Sequence, residues 1–337
     1  MTTKLYKNPT IHTLATDLGL KITTDPVSAI KDHCHRQIKR FLKEFAHCST
    51  LSGLLDLAAQ KLGTTFREIH CDDDLTQLTR EYADRGEPCA ALFHSELTED
   101  VYGVTFKLCR PGKFDLPYIS LIDCRGNKVH KVYFTKWHEL GHLLILTDQR
   151  RLSFKRTHAL HELKSPEESM VDVIAGEFAY YAPMVLPYAK GGLTFTTIDS
   201  ARAALCPEGS HQSALIGLVK VWPTSCVLVE ARWAGKQSSR PGKYAASCAL
   251  RAAHVLVNDA ARESGLRLHR NFRVPESSVI HRVFAESLSE GTANENLDWW
   301  TSSDGTRLQD QELRVSAKRI GNTIYALLIP IPSSTTH

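Results

Sequence analysis

No stretch of this 337-residue chain approaches the roughly 18 consecutive apolar residues that a membrane-spanning helix needs. A role inside a membrane is therefore not expected. The opening segment, MTTKLYKNPTIHTLATDLGL, lacks the apolar core of a secretory signal, so a soluble, cytoplasmic protein is expected. Nine cysteines are present, yet no two form a CxxC pair, which argues against a zinc ribbon or finger. Scattered thiols in a chain without a signal read as reduced and mostly buried. Lys and Arg are spread along the chain rather than gathered in one block, and the formal net charge is only +4. That balance does not require a nucleic-acid partner. Internal repeats and low-complexity tracts are also missing.

What remains is an ordinary globular composition, 42% apolar and 23% charged, in a chain long enough for two or three compact units. Residues 12–62 are expected to hold two helices, the second marked by Ile38, Phe41, Leu42 and Phe45 at helical spacing. Residues 89–94, 101–109 and YISLIDC (118–124) read as strands. The alternating VYGVTFKL is expected to offer a sheet edge to an extended substrate. Thr135 is placed as the cap of a helix running through KWHELGHLLIL. Ser165-Pro166-Glu167-Glu168 starts the next helix, with a cap, a first-turn proline and acids near the positive end of the dipole. After a break at 188–194, two short helices are predicted in TIDSARAAL and HQSALIGLVKVW, then a strand in TSCVLVEARW and a long helix over 243–264. VIHRVFAES, LDWWTS, ELRVSAKRI and TIYALLIPI complete a small antiparallel sheet. The fold class is α+β.

Chemistry concentrates in His138-Glu139-Leu140-Gly141-His142. Histidines four apart share one helix face and can reach one ion. Glu139 stands beside that ion, where it can take a proton from activated water and pass it to a leaving amine. A helix packed in a core should not carry two His and a Glu inward without partners. A catalytic zinc needs a third protein ligand. Glu168 is the first choice, with Asp172, one turn on, orienting a liganding histidine from behind. Asp172 and Glu167 remain alternatives for the ligand itself. His, His and Glu suit zinc best, though manganese or iron would also fit. Tyr180, Tyr181, His158 and His161 are candidates to stabilise an oxyanion. His33-Cys34-His35 is a poor ligand set, because adjacent side chains on a helix point apart, and His70-Cys71-Asp72 and His158 with His161 are not expected to hold a metal either.

VYFTKWHELGHLLI, followed by an acidic helix of the form E-x-x-V-D-x-I-A and then FAYYAPMVLP, resembles the ImmA/IrrE family of metallopeptidases. The resemblance implies a gluzincin-like zinc endopeptidase that cleaves a partner transcriptional repressor of the helix-turn-helix type. It places His138 and His142 as zinc ligands, Glu139 as general base and Glu168 as third ligand. Where the family carries Ala-Asn, this chain has Val171-Asp172. Aligning the family's Phe-Ala with Phe178-Ala179 instead would put Asp172 in the ligand position. The implied organisation is a zincin-like metallopeptidase domain over 1–192, a helix-turn-helix-like segment over 193–223 and a sensory-like α/β domain, GAF-like, over 224–337. Against direct DNA binding, HQSALIGLVKVW offers little basic character for a recognition helix. Two further readings stand beside the protease. One is a non-catalytic metal- or ligand-binding transcriptional regulator. The other is a metallohydrolase acting on something other than peptides.

Overall fold

The computed structural model of the chain describes residues 5–22, 25–45, 47–147, 153–157 (backbone only), 164–235, 248–301 and 308–332. Helices and antiparallel strand pairs both occur, so the chain is α+β as the sequence implied. It divides into two units, Met1–Met184 with Arg202–Ser213, and Val185–Ala201 with Ala214–His337. Among the described residues, no helix is long and apolar enough to cross a membrane.

The first unit begins with helices α1 (Pro9–Asp17), α2 (Pro26–Glu44) and α3 (Leu51–Leu62). Each starts on a side chain that satisfies an otherwise orphaned amide: Asn8, Asp25 and Thr50 accept from Thr10, Ser28 and Gly53. Gly63 ends α3 in the left-handed region (φ 76°), which a residue without Cβ adopts freely, and β1 (Thr64–Ile69) follows at once. Helices α4 (Asp72–Asp84) and α5 (Phe93–Glu96) precede strands β2 (Val101–Lys107) and β3 (Tyr118–Asp123). Then come α6 (Val132–Leu144), β4 (Ser153–Thr157), α7 (Pro166–Phe178) and α8 (Ala182–Val185). The sheet order is β1-β3-β2-β4, with β1 and β3 parallel and the other two pairs antiparallel. Alternation gives β2 and β3 two working faces. Val104, Phe106, Ile119 and Leu121 join the apolar cluster of α4 and the 88–97 segment. Gly103, Thr105 and Ser120 point the other way, and a contact with Thr135 and Glu139 at Gly103 marks that face as the one α6 covers.

Several local expectations are corrected. β2 lies between β3 and β4, so VYGVTFKL is not an edge; β4 is. Residues 89–94 form a 3-10 turn (Pro88–Leu92) leading into α5 rather than a strand. Pro88 fixes the first turn, and Cys89, Ala90 and Phe93 bury one helical face. Thr135 does not cap α6; it sits inside the helix and its hydroxyl donates back to Lys131 O at 2.9 Å.

Past α9 (Phe195–Leu205) and α10 (His211–Val221), both close to expectation, the second unit builds a five-stranded antiparallel sheet. Its strands are β5 (Val227–Ala234), β6 (Ala249–Val257), β7 (Glu290–Asn296), β8 (Glu312–Ile320) and β9 (Thr323–Pro330), ordered β6-β5-β9-β8-β7. The long helix expected over 243–264 is instead β6 and the short α11 (Asp259–Glu263), while 243–247 lie outside the described residues. Pairing with β5 along nearly its whole length overrides the Ala- and Leu-rich local preference. VIHRVFAES forms α12 (Val279–Ala285), not a strand, because Val279, Ile280 and Val283 bury at helical spacing behind the Ser278 cap. LDWWTS turns as a 3-10 helix (Leu297–Trp299) after β7.

Asp123, at the end of β3, is almost fully buried and accepts from Arg125 at 2.8 Å and Lys128 at 2.6 Å. Burial alone would raise its carboxyl; those two cations overcome it and hold it below the usual carboxylate range. A depressed folded pKa contributes stability that is present above the unfolded value, about 3.9, and lost as pH falls through the folded one. Asp123→Asn is therefore expected to destabilise the fold at neutral pH by about 3–5 kcal/mol, the scale for breaking a buried pair. Urea melts should show the gap between variant and native protein narrowing below pH 4, on the order of the unfolded pKa.

Candidate metal centre

Helix α6 carries His138, Glu139 and His142 in its last two turns, all essentially without solvent exposure. Helix α7 faces it. The glycine of HELGH has a packing reason: a Cβ on Gly141 would stand 3.0 Å from Val171 Cγ1 and 3.4 Å from Val171 O. Its absence lets the two helices close, and that approach sets α7's acids against the histidines. Ser165 Oγ accepts from Glu168 N at 3.1 Å and fixes the start of α7, so Glu168 and Asp172 follow one turn apart on one face.

Glu168 bridges the two histidines. Its Oε2 lies 3.1 Å from His138 Nε2 and its Oε1 3.2 Å from His142 Nε2. One donor atom from each of the three residues falls within 4.8 Å of the others. Asp172 accepts at Oδ1 from His138 Nδ1 at 3.0 Å, while Lys164 donates to its Oδ2 at 2.7 Å. Burial pushes the Asp172 carboxyl up, but the His138 hydrogen bond and charge outweigh it and hold it at about 2. Glu168 is likewise depressed: burial opposes, and protonated His138 and His142, by hydrogen bonding and charge, outweigh it.

This geometry tests the fit of a cation. With its Nδ1 proton given to Asp172, a neutral His138 turns the Nε2 lone pair towards a carboxylate oxygen. Two imidazole lone pairs and a carboxylate pointing inward repel unless protons or a metal ion lie between them. A divalent ion satisfies all three, and two His with one Glu is a donor set suited to zinc.

Glu139, between the two histidines on α6, reaches β2 of the sheet. Its Oε2 accepts from Thr105 Oγ1 at 2.8 Å, and Oε1 has no hydrogen-bond partner among the described residues. Thr105 Oγ1 lies 2.7 Å from Ser120 Oγ, which lies 2.8 Å from Thr64 Oγ1. A hydroxyl has one proton to give. Because Thr105 donates to Glu139, Ser120 must donate to Thr105 and Thr64 to Ser120. Three buried hydroxyls on three neighbouring strands thus aim one donor at the carboxylate. Burial raises the Glu139 pKa, opposed by the charges of His142 and His138 and by the Thr105 bond. Gly103 makes room: a Cβ there would come within 2.7 Å of Thr135 Cγ2 and 3.0 Å of Glu139 Oε1. Sequence reasoning missed Gly103, Thr105, Ser120 and Thr64. The one available signal was a glycine inside a strand, which often marks close approach of another group.

No family model and no curated protein matches the sequence.

The other candidates separate. Tyr180 is buried with its hydroxyl 2.8 Å from Ser213 Oγ, and Tyr181 is buried against Phe178 and His35. His158 and His161 lie outside the described residues. Glu167 lines a cavity of about 370 Å³ beside His142, together with Pro9, Thr13, Leu14, Ile145 and Leu146. His33 and His35 have different partners, Gln37 and Glu177, so that trio forms no ligand set.

Proposed function

We propose that the protein is a zinc-dependent endopeptidase of the zincin type, regulatory in character, acting on a specific partner protein such as a helix-turn-helix transcriptional repressor. The observation that carries this reading is the convergence of His138, His142 and Glu168 within 4.8 Å, one residue away from a buried carboxylate held by its own hydroxyl chain. Zinc bound there would polarise a scissile carbonyl and bring the pKa of water down towards about 7. Glu139 would take a proton from that water at Oε1, the oxygen without a partner among the described residues, and deliver it to the leaving nitrogen. Asp172 and Lys164 keep His138 in the tautomer that presents Nε2. The cavity lined by α1 and the 145–146 segment would receive a side chain next to the scissile bond. An extended substrate would pair along the β4 edge.

The sensory-like role of the second unit is part of the same proposal. Its antiparallel sheet, ordered β6-β5-β9-β8-β7 over a continuous apolar core, would form the body of such a unit.

The test uses a proteome-derived peptide library read by mass spectrometry. Zinc-loaded wild type is expected to generate new termini, and Glu139→Gln to generate at least 100-fold fewer while keeping its zinc, the scale of general-base loss. Equal cleavage by both would end the protease reading. Zinc binding without cleavage in either would favour a metal-binding regulator.

A further inference from the structure

A second group of metal-ligating side chains lies outside the site described above, and the sheet topology assembles it. The parallel register sets Glu68 opposite Ile122 and Ile69 opposite Asp123, so β1 and β3 end side by side. Cys124 N donates to Ile69 O at 2.8 Å and locks the two chain exits together. Asp74 accepts from the amides of His70 and Cys71 at 2.9 and 3.1 Å, which pins the backbone where β1 turns into α4. Cys124 Sγ, a His70 ring nitrogen and a Glu68 carboxylate oxygen then fall within 4.8 Å of one another.

We propose that Glu68, His70 and Cys124 form a second divalent-cation site, selective for a thiophilic ion such as zinc and independent of the reading of the first. The donor set is one thiolate, one imidazole and one carboxylate, with water completing a tetrahedron. Ligand atoms around zinc stand roughly 3.3–3.7 Å apart given bonds of about 2.0–2.3 Å. The observed separations, up to 4.8 Å, would shorten by roughly 1 Å on binding. Access is built in: the Cys124 residue is 5% exposed and forms the floor, while the Glu68 and His70 side chains, 37% and 61% exposed, form the mouth.

Glu68 is not idle without an ion. Lys136 Nζ donates to its Oε1 at 2.6 Å, and His70 Nε2 lies 3.3 Å from its Oε2. The ammonium already neutralises this carboxylate, and an ion would compete with it. Binding would replace the Cys124 S–H bond by a metal–sulfur bond and release that proton to solvent. Lys136 belongs to α6, two residues before His138, so occupancy here would release a tether between β1 and the helix that bears the first site.

The experiment is a cobalt(II) titration of the full chain followed by absorption spectroscopy. Cobalt bound to a thiolate absorbs in the near ultraviolet, where imidazole and carboxylate complexes do not. Wild type is expected to develop this band, and the His138→Ala/His142→Ala variant to keep it. Cys124→Ala should lose it, and His70→Ala, a change at an exposed side chain that folding tolerates, should weaken it at least tenfold. Lys136→Met should raise the affinity roughly tenfold, the size of other outer-partner effects on metal sites. Cys71→Ala should leave the band unchanged. Absence of the band in wild type at saturating cobalt, its survival in Cys124→Ala, or its loss in Cys71→Ala would each overturn the proposal. None of these results depends on whether the first site holds zinc or cleaves peptides.

Discussion

Glu168→Ala is expected to leave the protein nearly devoid of tightly held zinc, whereas Asp172→Asn keeps the ion but binds it about 10–100-fold more weakly. The measurement is zinc per chain by mass spectrometry after dialysis, in a Cys124→Ala background so that only the centre between α6 and α7 is counted. Both Glu168 oxygens face histidine Nε2 atoms, and Asp172 meets His138 only at Nδ1, with Lys164 on its other oxygen. Glu168 can thus enter the metal's shell directly, while Asp172 acts through the ring it orients. The opposite pattern, zinc lost in Asp172→Asn and kept in Glu168→Ala, would move the third ligand and require α7 to turn. Background protein that takes up no zinc at all would remove the basis for a hydrolase.

Thr105→Val is expected to cripple Glu139 without touching the metal. Valine matches threonine in shape, so the packing of β2 against α6 survives, but the Thr105 hydrogen bond to Oε2 disappears. A buried polar group left unsatisfied costs about 1–3 kcal/mol, more when it is charged. The melting midpoint should fall accordingly. Peptide cleavage should drop at least tenfold as the base loses its fixed orientation, an effect within the range for general-base catalysis. Thr105→Ser returns a hydroxyl and should restore both quantities, and zinc content should match wild type throughout. A valine variant as stable and active as wild type would mean that the hydroxyl chain from Thr64 does nothing for the carboxylate.

How much of this was legible in the sequence depended on how local each signal is. His138, Glu139 and His142 could be read because 3.6-residue periodicity alone puts positions four apart on one face. The cap at Ser165 was legible for the same reason, since a cap and its amide are three residues apart. The failures are also of one kind. Residues 249–257 look helical in isolation and become a strand because β5 pairs with them. VIHRVFAES looks extended and becomes α12 because its apolar residues meet the second unit's core at helical spacing.

By itself, then, the sequence determined the α+β composition, the paired histidines with their glutamate, and the capped acidic helix, all consequences of spacing along one element. Only the tertiary structure decided which acid meets the histidines and which stands behind them, because that depends on how closely α6 and α7 approach at Gly141. It alone brought Thr64, Ser120 and Thr105 into line on Glu139, and Glu68, His70 and Cys124 to the shared ends of β1 and β3. Strand register joins residues tens of positions apart, and no local periodicity encodes it.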